Sequence, residues 1–342
     1  VLDAGGLARR NAYITLRFSA DGNQLAAVTE EGDLQVWDAK THAAQMRQST
    51  STTFRGVTFS AAEPLLASGG SDGQLYLWNT TSWQPLESPI NVGLPIECLS
   101  FSPDGTWIAI GTAAATSDSD PFKTGVSLLA VWDVANQEMM ASRQETTGAI
   151  QALAWSPDGE TLVTAGTDDT LRIWNPDLTA RKTIDTRGPV RTIDFAGDGN
   201  LLAVGMTRDN SMQILATDTW EQITELKGQS RAVSAISFIG DSQTLVAGSE
   251  DGQLEIWDVT NALQEPAETV RDETLQDLLR QNQRAWIGGD GSTIFGWSSG
   301  SPIARFDLSA RKSLPDWNDG HPYSLVAISE GGQFLAAVTE QR

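Results

Sequence analysis

Apolar and polar residues alternate along this chain in short runs that are broken repeatedly by Gly, Asp and Pro. The pattern is fullest from Leu153 to Asn175, which reads L-A-W-S-P-D-G-E-T-L-V-T-A-G-T-D-D-T-L-R-I-W-N. Three runs of strand character, Leu153–Trp155, Thr161–Ala165 and Leu171–Trp174, are separated by two tight turns. In Pro157-Asp158-Gly159 the proline presets φ and the glycine accepts the positive φ that hairpin turns demand. Thr167-Asp168-Asp169 supplies the second turn, since Asp tolerates such backbone and hydrogen-bonds it locally. The unit is an antiparallel meander, and one meander cannot bury both of its apolar faces. It needs copies of itself.

The copies are present. Eight segments pair an apolar residue with a larger hydrophobe before a turn, ending at Phe18, Phe59, Phe101, Trp155, Phe195, Phe238, Trp286 and Ile328. Beyond the first seven lies a third-strand anchor: Trp37, Trp78, Trp132, Trp174, Leu215, Trp257 and Phe306. Successive anchors are separated by roughly 41 to 54 positions, a spacing that belongs to propeller blades. Within Val190–Phe195, Ile193 and Phe195 share one face while Thr192 and Asp194 take the other. The same split of bulky and slim faces recurs in Ile96–Phe101, Ile150–Trp155 and Val233–Phe238. Such a unit nests against an identical neighbour, and the Trp anchors are expected to be core.

On these residues the chain resembles the WD-repeat family of β-propellers. Val36-Trp37-Asp38, Val131-Trp132-Asp133 and Ile256-Trp257-Asp258 carry the namesake dipeptide, and Trp78-Asn79 and Trp174-Asn175 approach it. The Gly-His pair that opens such repeats survives only at Gly320-His321, while Gly93, Gly148, Gly188 and Gly228 keep the glycine alone. The resemblance implies a buried network of His, strand Ser/Thr, turn Asp and Trp. Asp72, Asp168 and Asp251 match the Asp position, so without the His the network is expected to be partial. The expected fold is all-β: a single propeller over residues 1–342, built of four-stranded antiparallel blades. Eight blades are favoured, the closing one shared by the two termini, with a seven-bladed ring as the alternative. A bacterial-type signalling or scaffold propeller is the expected kind.

The resemblance also implies where function sits. The innermost strands line a channel, and two longer connections fall on one face. Thr112–Gly125 carries Phe122 and Lys123 near its tip, with Phe122 the candidate partner anchor. Ala262–Gln283 carries Leu275, Leu278 and Leu279 at helical spacing, followed by Arg280. The second residue of each innermost strand is expected at the channel rim: Arg55, Glu97, Gln151, Arg191, Ser234 and Ser324, with Ile14 in register. Long polar side chains at a rim suit protein or peptide recognition, Arg offering a planar donor fork. A solvated rim is the competing reading.

Composition then narrows the partner. Asp and Glu total 44 against 23 Lys and Arg, a net charge of −21 that repels phosphate backbones and anionic lipid surfaces at long range. A protein or peptide partner, basic in character, is expected, with neither nucleic acid nor membrane insertion. The single cysteine, Cys98, excludes an internal disulfide and reads as an inert core thiol. Only His42 and His321 are available as imidazoles, and Asp118 and Asp120 lack the run of ligands a calcium loop needs. No catalytic residue, metal or cofactor is expected: the rim offers one acid, Glu97, and no nucleophile or phosphate-loop motif appears. The chain begins at Val1 without Met or signal peptide, as an excised or processed fragment would. Localisation and oligomeric state are not legible. The leading reading is a non-catalytic scaffold presenting loops to partner proteins. The alternative is a sensor or regulatory domain of a larger signalling protein, binding a peptide or small ligand at the channel mouth.

Overall fold

The alternating runs form strands where the sequence predicts them. The computed structural model describes residues 13–29, 33–39, 41, 43–48, 52–86, 88–115, 125–145, 148–227, 231–239, 244–249 and 254–259. It also describes six later strands between 284 and 339 as backbone alone. The first sheet comprises β1 (Tyr13–Phe18), β2 (Gln24–Thr29), β3 (Leu34–Asp38) and β4 (Ala44–Gln48). The second comprises β5 (Phe54–Phe59), β6 (Leu65–Gly70), β7 (Gln74–Asn79) and the short β8 (Ile90–Asn91). The third comprises β9 (Ile96–Phe101), β10 (Trp107–Thr112), β11 (Ser127–Asp133) and β12 (Glu138–Glu145). The fourth comprises β13 (Ile150–Trp155), β14 (Leu162–Gly166), β15 (Thr170–Trp174) and β16 (Ala180–Asp185). The fifth comprises β17 (Val190–Phe195), β18 (Leu201–Met206), β19 (Ser211–Ala216) and β20 (Gln222–Lys227).

The sixth sheet has three strands among the described residues, β21 (Val233–Ile239), β22 (Thr244–Ser249) and β23 (Leu254–Asp258). The seventh comprises β24 (Arg284–Ile287), β25 (Thr293–Trp297), β26 (Ile303–Asp307) and β27 (Lys312–Trp317). Two strands, β28 (Tyr323–Ile328) and β29 (Leu335–Thr339), form the last. Every sheet is an antiparallel meander in chain order, and six of them are four-stranded. The first strands are the inner ones: β5 packs beside β1 and β9, and β13 and β17 continue the series to β21. All seven anchors fall in third strands, and Trp37, Trp78, Trp132, Trp174 and Trp257 are buried.

Local chemistry fixes the turns between first and second strands. The Ser19 hydroxyl donates to the Asp21 carboxylate and Ser102 to Asp104, each at 2.6 Å, and Ser156 donates likewise to Asp158. The same carboxylates accept the N–H of Asn23, Thr106 and Glu160 two residues on. Gly105 (φ 73°) and Gly159 (φ 74°) then take the left-handed conformation the turn requires. Hydrogen bonds favour the ionised acid: the Ser102 hydroxyl and the Thr106 N–H hold Asp104 below the usual carboxylate range. In the turn after β14, Asp169 itself takes a left-handed φ of 59°.

The core lies between sheets rather than within them. Ala152, Val163 and Ile173 of the fourth sheet pack on Ile193, Phe195 and Leu202 of the fifth. Leu65, Ala67 and Leu75 of the second pack on Ile96, Leu99 and Ile108 of the third. A glycine on β6, β10 and β18 admits the first residue of the next inner strand. A Cβ on Gly111 would stand 2.7 Å from Ile150 Cγ2, and one on Gly205 would stand 2.8 Å from Val233 Cγ1. Gly69 meets Ile96 in the same way. The slots leave no spare volume.

Half of the expected Trp network exists. Trp78 Nε1 donates to the Ser68 hydroxyl at 3.4 Å and Trp174 Nε1 to the Thr164 hydroxyl at 2.9 Å. Both acceptors lie two residues beyond the cross-strand partner of the Trp, Leu66 and Leu162. In the third and sixth sheets that position holds Ile110 and Ala247, and the Trp132 and Trp257 indole N–H groups are buried without a partner among the described residues. Asp72, expected in this network, is exposed and accepts instead from the Tyr76 hydroxyl at 2.8 Å. Asp168 pairs with Arg172 at 2.7 Å. Asp251, His42 and His321 lie outside the described residues, and Phe306 is described only as backbone.

Gly205→Ala is expected to cost about 1–3 kcal/mol in urea unfolding, because the methyl group overpacks the slot. In a Val233→Ala background the further loss should be clearly smaller, the two residues being in direct contact. An equal loss in both backgrounds would locate the strain within the fifth sheet, at Thr192, instead of between sheets.

Candidate functional site

The rim begins as a backbone irregularity. In β5, Phe54 pairs with Gly70 and Gly56 with Gly69, so Arg55 is passed over. The same slip passes over Glu97 between Ile96 and Cys98, Gln151 between Ile150 and Ala152, and Arg191 between Val190 and Thr192. It recurs at Ile14, Ser234 and Ser324. Every rim position named from the sequence is therefore the extra residue of a β-bulge. A bulge unpairs one residue, bends the strand and re-aims its side chain, a device common at barrel rims and beside functional sites. The antiparallel order puts all seven bulges at one end of the sheets. The turns between second and third strands and the connections from fourth strand to next first strand share that end.

Arg55, Gln151 and Arg191 are exposed there, and Glu97 is half-buried. Arg55 Nη1 donates to Glu97 Oε2 at 3.1 Å, which ties the bulges of the second and third sheets together. The side chains of Ser234 and Ser324 are outside the described residues. So are Phe122, Lys123, Leu275, Leu278, Leu279 and Arg280, which leaves both long connections undescribed at their tips. The base of the first is set: Ala115 N donates to the Val126 carbonyl at 2.9 Å, extending the hairpin beyond β10 and β11. Among the described residues no cluster of His, Cys, Asp or Glu could hold a metal ion. No described helix is long and apolar enough to cross a membrane.

Two titratable groups lie deeper along the inner strands. The Cys98 thiol points toward the Ile150 carbonyl at 3.4 Å, and burial pushes its pKa far up, so the thiolate is disfavoured. Asp194 bridges to the next sheet, its Oδ2 accepting the Phe238 N–H at 2.8 Å. Enclosure raises the Asp194 carboxyl to about 6, against the downward pull of the Phe238 N–H, the Ser237 hydroxyl and the Arg17 charge. Sequence reading assigned Asp194 only to the slim face of its strand. It gave no sign of the contact with Phe238, which depends on how adjacent sheets align.

A fold of repeated four-stranded meanders, with inner strands side by side and bulges at one end, is propeller-like. The comparisons agree. The WD domain, G-beta repeat, matches at residues 44–79, 91–119, 139–175 and 220–258. A WD repeat-containing protein WDS homolog from Arabidopsis thaliana is 25% identical over 310 residues, covering 86% of this chain and 57% of that protein. The anaphase-promoting complex subunit cdc20 of Dictyostelium discoideum is 24% identical over 261 residues, covering 73% of this chain and 50% of that protein. Small ribosomal subunit protein RACK1y of Oryza sativa subsp. japonica is 33% identical over 117 residues, 32% of this chain and 31% of that protein. The chain is similar to WD-repeat proteins in these four segments and along most of its length. It spans about half the length of the first curated relatives it matches. These relatives are eukaryotic, and the expectation of a bacterial-type propeller finds no support in them.

Because the folded pKa of Asp194 is raised, its contribution to stability is full below the ordinary Asp range near 4 and is lost as pH rises through about 6. Asp194→Asn should therefore flatten the fall in stability between those pH values, relative to wild type. Urea unfolding across the interval checks this, and parallel pH profiles for the two proteins would contradict it.

Proposed function

We propose that this chain is a non-catalytic scaffold that binds a protein or peptide on the bulge-lined end of a single propeller over residues 1–342. The carrying observation is that in seven inner strands the residue released from pairing is the one expected from the sequence at a channel mouth. Released residues on a rigid scaffold can contact a partner without disturbing the ladder that supports them. Eight blades close the ring. Contact between β28 and β1 supports that reading, in which the two termini share the closing blade. Similarity to proteins such as the anaphase-promoting complex subunit cdc20 supports a regulatory or scaffold role for this chain by analogy alone. Phe122 and Lys123, and the Leu275, Leu278, Leu279 and Arg280 stretch, are secondary contact candidates from the sequence. The net charge of −21 favours approach by a basic partner at long range.

Reversing charge at Arg55 and Arg191 together should leave circular dichroism and melting unchanged while weakening capture of partners by the immobilised propeller. Arg55 pairs with Glu97 near the surface, and such an ion pair contributes about 1 kcal/mol or less to folding. An unchanged set of captured proteins would remove this rim from the account.

A further inference from the structure

The chain carries nearly twice as many acids as bases, yet the rim of the fourth and fifth sheets reverses that balance. Arg187 lies in the connection from β16 to β17, Arg191 is the bulge of β17, and Arg208 lies in the turn from β18 to β19. Lys227 ends β20, and Arg231 follows in the connection to β21. All five are exposed at the same end, against exposed Asp185 and Asp209. The remaining acids lie beneath the cations. Arg187 Nη1 donates to Glu225 Oε2 at 2.8 Å, with side chains 56% and 13% exposed. Lys227 Nζ reaches the same oxygen at 3.3 Å and is 67% exposed. Arg208 Nη1 donates to Asp169 Oδ2 at 3.1 Å, with side chains 62% and 36% exposed. Carboxylates form the lower layer and guanidinium groups the upper one.

The three arginines are also positioned by packing. A Cβ on Gly188 would stand 2.7 Å from Arg208 Cβ, so the Arg208 stem lies directly on the loop between Arg187 and Arg191. That loop is fixed by the Thr186 hydroxyl donating to the Gly188 carbonyl at 2.8 Å and by Thr207 N–H donating to the Pro189 carbonyl at 3.0 Å. Bonds from below hold Arg187 and Arg208 upright, which lowers the side-chain entropy lost when a ligand binds. Guanidinium forks held in this way match carboxylates.

We propose that this corner binds an acidic peptide segment of a partner protein, through Arg187, Arg191 and Arg208. The proposal rests on the scaffold reading and specifies the chemistry of its ligand. The long-range field of the chain is screened within about 8 Å at physiological salt, so contact is decided by this local layer. Nucleic acid, whose extended phosphates would meet the acidic remainder of the surface, is the less favoured anion.

The test uses the full chain and fluorescence anisotropy with three labelled probes: a Glu/Gly peptide, a Lys/Gly peptide and a short oligouridylate RNA. The Glu/Gly peptide should bind, and Arg187→Gln with Arg208→Gln should weaken it by about tenfold or more. Lys182→Glu should change it less than about twofold, although that substitution shifts the net charge as much as the two Gln substitutions together, because Lys182 bonds the Thr219 carbonyl at the opposite end. The Gln variants avoid setting new acids against Glu225 and Asp169, and their melting temperatures report folding. Tighter binding of the Lys/Gly peptide or the RNA, or an unaltered affinity in the double Gln variant, overturns the proposal. If the Glu/Gly peptide fails to bind while Arg55→Glu with Arg191→Glu still abolishes partner capture, the acidic assignment falls and the scaffold reading stands.

Discussion

The structure depends on nesting between sheets. A single meander leaves both of its apolar faces open, and burial of those faces is the main favourable term in folding. Here the second strands β6, β10 and β18 offer slots at Gly69, Gly111 and Gly205, and the next inner strands fill them with Ile96, Ile150 and Val233. The slot explains why the slim face of each unit is needed as much as the bulky one. It also explains how repeats that have lost their His can persist. Trp132 and Trp257 leave buried indole N–H groups unpaired among the described residues, a cost of about 1–3 kcal/mol each. Nesting of whole sheet faces outweighs it.

The same nesting generates the candidate site. To drop its first residue into the slot and still align the residues after the bulge with the second strand, an inner strand such as β9, β13 or β21 shifts phase by one. The bulge is that shift. It releases Arg55, Glu97, Gln151 and Arg191 from the ladder and gathers them at one end. Architecture and candidate surface are thus two consequences of one local irregularity. What distinguishes one sheet from another at this end is the released residue and the loop beside it. In the second and third sheets, opposite charges neutralise each other. In the fourth and fifth, less exposed acids sit against a layer of exposed bases.

Much of this was legible in the sequence. The repeat, the Trp anchors and the turns follow from short-range chemistry, and the strands end at or within one residue of the predicted hydrophobes, as at Phe59, Phe101, Trp155 and Phe195. The bulges were legible too, although alternation alone misses them. Phe54, Val57 and Phe59 are spaced three then two, as are Val190, Ile193 and Phe195, and that phase slip is the signature of one extra residue. The arginine layer was not legible. Arg187, Arg208, Glu225 and Asp169 are scattered along the chain, and the pairing of Arg208 with Asp169 crosses from one sheet to the next. The fate of Asp72 was hidden for a related reason: with no His to meet, its partner became Tyr76, four residues along its own hairpin.

The central claim is that the sheets hold one another rather than standing as independent repeats. Native-state hydrogen exchange with residue resolution tests it directly. If nesting governs, the inner-strand amides of β5, β9, β13 and β17 open with one shared free energy, since no strand can leave its slot without exposing its neighbour's. Separate opening free energies for each sheet, each sensitive only to substitutions within that sheet, would contradict the account.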